Sequence, residues 1–349
     1  MKILFFIGHL NSGGAERVVS LLSNKLFDKG FDIEILTYYD RKINYSINNN
    51  IKITKVVLET KSSNIIKNMS WLKKYFNNNA DLIISFLAPF NMLALLTKGN
   101  TPIIVADRND PNKIPNNKLL RLLRNKIYKK ANYVVVQTNN NKNYFNYLNN
   151  VIVINNPINI GNNVGKAINT QKENKIVSVA RLMPQKNQLL LIEVFNEVLK
   201  EHKDYKLIIY GEGPERSNLE NKINELKLND SVLLPGNDND VINKILDAKV
   251  FVLPSNYEGM PNSLIEAMCI GLPVISTKVS GANELIKDKE NGLLIDINNK
   301  EQLVNAMKLL IENEKYAASL AVKAVEINNL LNIDKIVEDW IELINKACK

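Results

Sequence analysis

The sequence predicts an α/β protein built of two doubly wound, Rossmann-like domains. Short apolar runs of strand length alternate with helical stretches along the chain, which is the pattern of a mostly parallel sheet with crossover helices. That alternation stops in a polar, glycine-containing stretch at 160–175 and restarts at Ile176. With 349 residues there is chain enough for two such cores. The domains are expected at 1–165 and 166–334, with a last segment, 335–349, packing back on the first.

The first element is the apolar run Lys2 to Ile7. Gly8-His9-Leu10-Asn11-Ser12-Gly13-Gly14-Ala15-Glu16-Arg17 follows, then Val18, Val19, Leu21, Leu22 and Leu26 at helical spacing. Strand, loop, helix is how a doubly wound domain opens. Gly13 and Gly14 allow backbone to come close to a phosphate or sugar at the helix start, although a purely structural turn also fits, and the spacing is not GxGxxG. Further strands are expected at 31–37, 81–86, 102–106, 133–137 and 151–154.

Charge is unevenly placed. Residues 1–165 hold 22 Lys or Arg against 9 Asp or Glu, and residues 166–349 hold 23 against 27, so the net +9 resides in the first half. That half is expected to meet something anionic: a membrane surface, a phosphorylated substrate or nucleic acid. Lys113 to Lys130 is expected to be an amphipathic helix, with Leu119, Leu120, Leu123 and Ile127 inward and Lys118, Arg121, Arg124 and Lys129 mainly outward. Its basic face suits either plain solvation or lipid phosphate. Nucleic acid is disfavoured, because no aromatic stacking platform accompanies the charge.

Composition excludes several other classes. Five consecutive apolar residues near the start are too few for a signal peptide or a membrane span. Cys269 and Cys348 form no CxxC pair and suit a reducing cytoplasm; His9 and His202 alone cannot build a typical zinc site. The asparagine runs at 48–50, 77–79 and 139–141 read as loop drift without function.

The second series reads as strand 176–180, loop 181–187, helix from Gln188, strand 206–210, loop 211–215, a helix to Leu226 and strand 232–234. Asp238-Asn239-Asp240 has the D-x-D form of some metal sites. It precedes a helix, so Asp240 is expected to be an N-cap instead.

The most informative stretch is Pro254 to Val274. It follows the apolar run Val250 to Leu253, and carries Pro261 where a helix begins and Gly271 where one ends. Glu258 falls in the loop and Glu266 in the helix, and the amides of Asn262, Ser263 and Leu264 fall in a first turn that favours an anion. Two acidic residues eight apart arise by chance about three times in such a composition. The helix punctuation and the flanking strands therefore carry the inference, not the pair itself.

Together these pieces resemble the GT-B glycosyltransferases of the retaining glycosyltransferase 4 group. The matching residues are Gly13-Gly14-Ala15-Glu16, Ala180-Arg181-Leu182 with Lys186-Asn187, Tyr210-Gly211-Glu212-Gly213-Pro214, Pro235-Gly236 and the E-x7-E block from Glu258 to Glu266. They span essentially the whole chain and are most specific between 176 and 295. The resemblance implies two Rossmann-like domains facing each other across a cleft, with a nucleotide-sugar, most often a UDP-sugar, in the second and an acceptor in the first. It implies that Arg181 and Lys186 neutralise the diphosphate leaving group, Glu258 contacts the donor sugar and Glu266 accepts from the ribose hydroxyls. Gly13, Gly14, Gly211, Gly213, Asn262, Ser263 and Leu264 would complete the donor site, with no metal and no further cofactor. Where many members carry a histidine, this chain has Ala106-Asp107-Arg108-Asn109-Asp110-Pro111, so Arg108 is the expected catalytic substitute. The resemblance further implies transfer of a hexose or N-acetylhexosamine to a polyprenyl-diphosphate-linked glycan in surface polysaccharide biosynthesis. Such an enzyme would be cytoplasmic and peripheral on the inner face of the cell membrane. A nucleotide-sugar epimerase is the alternative on the same fold, and a non-catalytic basic binding protein the remote one.

Overall fold

A computed structural model describes residues 1–11, 13–56 and 65–349; Ser12 of the first glycine loop lies outside the described residues. The chain divides into two compact units, Met1–Pro157 with Leu331–Lys349, and Ile158–Leu330.

The first unit runs β1 Lys2–Ile7, α1 Gly14–Asp28, β2 Asp32–Thr37, β3 Lys52–Lys55, α2 Ile65–Asn79, β4 Leu82–Phe86, α3 Ala88–Thr97, β5 Ile103–Ala106, α4 Lys118–Tyr128, β6 Tyr133–Val136, α5 Asn139–Tyr144 and β7 Val151–Val153. Its seven strands lie in the order β3-β2-β1-β4-β5-β6-β7, and every pairing is parallel. Helices cover both faces, so β1 is a continuous apolar run: Ile3, Phe5 and Ile7 enter one core layer, Leu4 and Phe6 the other.

The strand β3 was not legible in the sequence. Its Lys-Ile-Thr-Lys sequence is half-exposed and lies at the sheet edge, where lysines are common and apolar periodicity is weak. Glu34 of β2 secures it, accepting hydrogen bonds from Thr54 Oγ1 at 2.6 Å and Tyr75 OH at 2.5 Å and pairing with Lys2 and Lys52. Burial alone raises this carboxyl, but those bonds outweigh it and hold the group down to about 2.

The second unit runs β8 Glu173–Val179, α6 Gln188–Leu199, β9 Lys206–Tyr210, α7 Arg216–Glu225, β10 Val232–Gly236, α8 Val241–Lys244, β11 Ala248–Leu253, α9 Asn262–Ile270, β12 Val274–Thr277, α10 Ser280–Leu285, β13 Leu293–Ile295, α11 Lys300–Glu312, α12 Glu314–Ala324 and α13 Ile327–Leu331. Its six parallel strands lie in the order β10-β9-β8-β11-β12-β13. Each sheet thus reverses strand order once, between β1 and β4 in the first and between β8 and β11 in the second.

The stretch 160–175, expected to hold the linker between domains, lies within the second unit, as do Ile158 and Asn159 before it. Ile158, Ile160 and Ala167 are buried, and the Gly165 amide donates to the Cys269 carbonyl at 2.9 Å. The passage between units therefore falls at Pro157–Ile158, ahead of the sequence boundary.

The last helix, α14 Ile333–Ala347, belongs to the first unit and buries Ile336, Val337, Trp340, Leu343 and Ile344 in the core beside α1. Trp340 is fully buried and stacks on Phe86 with ring centroids 6.2 Å apart.

Helix α4 departs from its expected orientation. Arg124, expected outward, is fully buried, while Leu119, Leu120, Leu122 and Leu123 are exposed. The reason is a ready-made set of acceptors inside. Arg124 donates to the carbonyls of Ile114 at 2.6 Å and Pro111 at 3.0 Å, to Tyr144 OH at 2.9 Å and to Asn125 Oδ1, and its guanidinium lies 5.1 Å from the Tyr144 and Phe145 rings. A buried arginine satisfied in this way displaces leucines from the interior. Among the described residues no helix is long and apolar enough to cross a membrane.

Candidate active site

In an open parallel sheet, ligands bind beyond the carboxyl ends of the strands where the order reverses. In the second unit this place is formed by the loops leaving β8 and β11, residues 180–187 and 254–261. These two loops carry Arg181, Lys186 and Glu258.

The first loop is shaped by a short turn, Pro184–Lys186, and by Asn187, whose φ of 55° is a left-handed conformation that asparagine tolerates better than most residues. That residue turns the chain into α6. The second loop is tied to the first: the Asn256 amide donates to the Gln185 carbonyl at 2.8 Å, and Gln185 Nε2 donates to the Tyr257 carbonyl at 2.6 Å. Glu258 is the focus of these contacts. Its Oε1 pairs with Lys186 Nζ at 2.5 Å and accepts from Ser255 Oγ at 2.8 Å, and its Oε2 lies 3.4 Å from Gln185 Nε2. Glu258 is buried and Lys186 largely so; the pairing and the extra donors make a buried carboxylate tolerable. Arg181 is exposed and makes no ion pair among the described residues. The loop thus carries one cation already paired and one unspent.

Loop 211–215 supports this arrangement from behind. The Leu182 amide donates to the Glu212 carbonyl at 3.0 Å, and the Glu215 amide to the Leu182 carbonyl at 3.1 Å. A Cβ on Gly211, at φ 141°, would lie 1.9 Å from the Ala180 carbonyl oxygen, and one on Gly213 would lie 2.2 Å from that of Leu182. The visible demand on both glycines is therefore close packing against the Arg181 loop.

Helix α9 begins at Asn262, after Pro261, and ends at Gly271 with φ 84°. Glu266 is buried within it. Of the three amides expected to face an anion, that of Leu264 is already engaged, donating to the Pro261 carbonyl at 3.1 Å; Ser263 keeps an amide without an acceptor among the described residues. The first turn tightens onto Pro261, as helix starts often do. The D-x-D segment is also differently used. Asp238 pairs with Lys244 and accepts the Asp240 amide at 2.8 Å, while Asp240, at the cap position of α8, takes the Asn243 side-chain amide rather than a backbone donor.

In the first unit the loop after β1 presents Gly13, whose amide donates to Tyr45 OH at 3.0 Å and whose carbonyl accepts from the same hydroxyl at 2.8 Å. Gly14 starts α1. Arg108, after β5 and expected as the catalytic substitute, is buried. Its Nη1 donates to the Ile154 carbonyl at 2.9 Å and to Asn156 Oδ1 at 3.2 Å, and its guanidinium lies 5.6 Å from the rings of both Phe86 and Trp340. Burial pushes the group down to about 9, with Asp107 opposing. Its Nε and Nη2 have no hydrogen-bond partner among the described residues.

Sequence reasoning missed Ser255, Gln185, Tyr45 and Gly281. The last brings its bare Cα under the Glu258 loop, where a Cβ would lie 2.4 Å from the Gly259 carbonyl oxygen. Each stands in or beside a loop already singled out; the roles of Gln185, Tyr45 and Gly281 depend on partners far off in sequence, and that of Ser255 on the fold of its own loop toward Glu258.

Residues 162–326 match the family model described as Glycosyl transferases group 1. Over nearly its full length the chain is 30% identical to an N-acetylgalactosamine-N,N'-diacetylbacillosaminyl-diphospho-undecaprenol 4-alpha-N-acetylgalactosaminyltransferase of Campylobacter jejuni, covering 98% of this chain and 99% of that one. The chain belongs to the group 1 glycosyltransferases. This glycosyltransferase is also 29% identical, over 99% of its own length and 98% of the relative's, to a C. jejuni alpha-1,4-N-acetyl-D-galactosaminyltransferase named for a diphosphoundecaprenol-linked glycan. Its fold is that of HepE of Anabaena, solved in complex with UDP and glucose, with a TM-score of 0.85 at 18% identity over 99% of each chain. The two parallel-sheet units are thus a GT-B pair.

Proposed function

We propose that this glycosyltransferase moves a hexose or N-acetylhexosamine from a UDP-sugar to a polyprenyl-diphosphate-linked glycan, with retention and without a metal. The observation that carries the reading is the Lys186–Glu258 pair at the strand-order reversal of the second unit, with Arg181 on the same loop as Lys186 and with α9 and Glu266 following directly.

A departing nucleoside diphosphate develops negative charge. Preorganised cations and unpaired amides at a helix start stabilise that charge without reorganising. Arg181 and Lys186 fill the first role and Ser263 contributes to the second. Glu258, held by Lys186 and Ser255, is oriented to accept from sugar hydroxyls, and Glu266 from the ribose. Glu258 is not assigned as nucleophile: the acceptor oxygen bonds to C1 on the face from which the diphosphate leaves, and the acceptor's proton passes to the diphosphate. Both relatives are named for α-linked transfer, and an α-linked product from an α-linked nucleotide sugar is retention. Their names also place an undecaprenyl diphosphate on the acceptor, which supports a lipid-linked acceptor and a site of action at the inner membrane face. The basic first unit supports the same location. Arg108 is assigned a positioning role, because its side chain is packed on Trp340 and Phe86. The epimerase alternative finds no support in these relatives, which are transferases.

The test is a panel of UDP-sugars incubated with undecaprenyl-diphosphate-linked glycans. One donor should yield acceptor-dependent UDP and an α-linked product with chelator present; release only with added divalent metal, or an inverted product, would overturn the corresponding part.

A further inference from the structure

Helix α4 exposes Leu119 by 71%, Leu122 by 67%, Leu123 by 46% and Leu120 by 45%. Among the described residues no other α-helix exposes more than one large apolar side chain. Leu119, Leu122, Leu123 and Lys126 follow one another at helical spacings of three, one and three, so they form a single outward stripe, flanked by exposed Lys118, Lys129 and Lys130. The stripe cannot readily turn inward, because Arg124 on the opposite side is anchored by the Pro111 and Ile114 carbonyls, Tyr144 and Asn125. A contiguous apolar face with a locked orientation marks an interaction surface rather than a scattered exposure.

We infer that this leucine stripe is the element by which the first unit enters an anionic lipid surface, its leucines reaching the acyl boundary and its lysines meeting the phosphates. The inference rests on the membrane location proposed above and names the contact that produces it. Charge selects the occupant. Residues 111–157 hold eight Lys or Arg and no Asp or Glu. A second copy docking on the same stripe by two-fold symmetry would bring two strongly positive faces together, whereas anionic headgroups complement both the leucines and the flanking cations. Arg124 contributes by position only: it holds the stripe outward.

Vesicle flotation of the full chain distinguishes the outcomes. The vesicles are phosphatidylglycerol with phosphatidylcholine, with pure phosphatidylcholine as the comparison. The native chain should float with the anionic vesicles, and L119S/L122S/L123S should lower the bound fraction by about tenfold or more. The variant's melting temperature and its transfer to a soluble glycan acceptor should stay unchanged. Salt-sensitive flotation that is equal in native and variant chains would overturn the leucine stripe while leaving the membrane location standing. No flotation of the native chain would overturn both. A concentration-dependent dimer abolished in the variant, without a change in flotation, would assign the stripe to a second copy and overturn the inference. Because the leucines are exposed, their replacement should not unfold the helix; a fall in melting temperature would show that they pack inward and would overturn it as well.

Discussion

Arg181→Ala and Lys186→Ala should each lower turnover by roughly two orders of magnitude or more, with purified protein and saturating donor and acceptor. A hundredfold loss corresponds to about 2.7 kcal/mol of barrier, the scale expected when one preorganised charge is removed from a developing diphosphate. The two variants should differ in a second respect. Arg181 is exposed and makes no ion pair among the described residues, so its loss should change stability by no more than about 0.5 kcal/mol. Lys186 is paired with the buried Glu258 at 2.5 Å, and removing it leaves a carboxylate with, among the described residues, only the side chains of Ser255 and Gln185 as donors. Lys186→Ala should therefore lower the melting temperature as well as the rate. Arg181→Ala gives the cleaner measure of leaving-group stabilisation, and unchanged turnover in both variants would contradict that role.

Trp340→Ala should destabilise the first unit by about 3–5 kcal/mol, measured by denaturant unfolding followed by circular dichroism. The side chain is fully buried, stacks on Phe86 and lies under the Arg108 guanidinium, so the cavity it leaves cannot collapse without moving both of these groups. The ion pairs that also join α14 to α1, Lys25 with Asp334 at 2.8 Å and Lys29 with Glu338 at 2.6 Å, are on the surface. Solvent screens such exposed pairs, so hydrophobic burial, not charge, holds the last helix in place. A loss below about 1 kcal/mol would mean that α14 is not part of this core.

The architecture was largely legible because buried parallel strands are near-continuous apolar runs and the helices between them are amphipathic, which local sequence records. The placement of Lys186 and Glu258 in loops after β8 and β11, and of Glu266 in the helix that follows, was legible for a related reason: the loops follow strands and precede helix starts marked by Asn187 and Pro261. The failures share a different cause. The orientation of α4 follows from acceptors on Pro111, Ile114 and Tyr144, and a helical wheel knows nothing of them, so it sent leucines inward and Arg124 outward. Arg108 turned inward onto a tryptophan more than two hundred residues later in the chain. In each case a polar group found partners that only the folded chain brings near.

The most direct measurement is a calorimetric titration of UDP into the native protein and into Glu266→Ala. A donor site at the carboxyl ends of β8 and β11 predicts saturable binding to the native chain, weakened by about 1–3 kcal/mol when the buried carboxylate and its ribose hydrogen bonds are lost. Equal affinity in the two proteins, or no UDP binding to the native chain, would contradict that site.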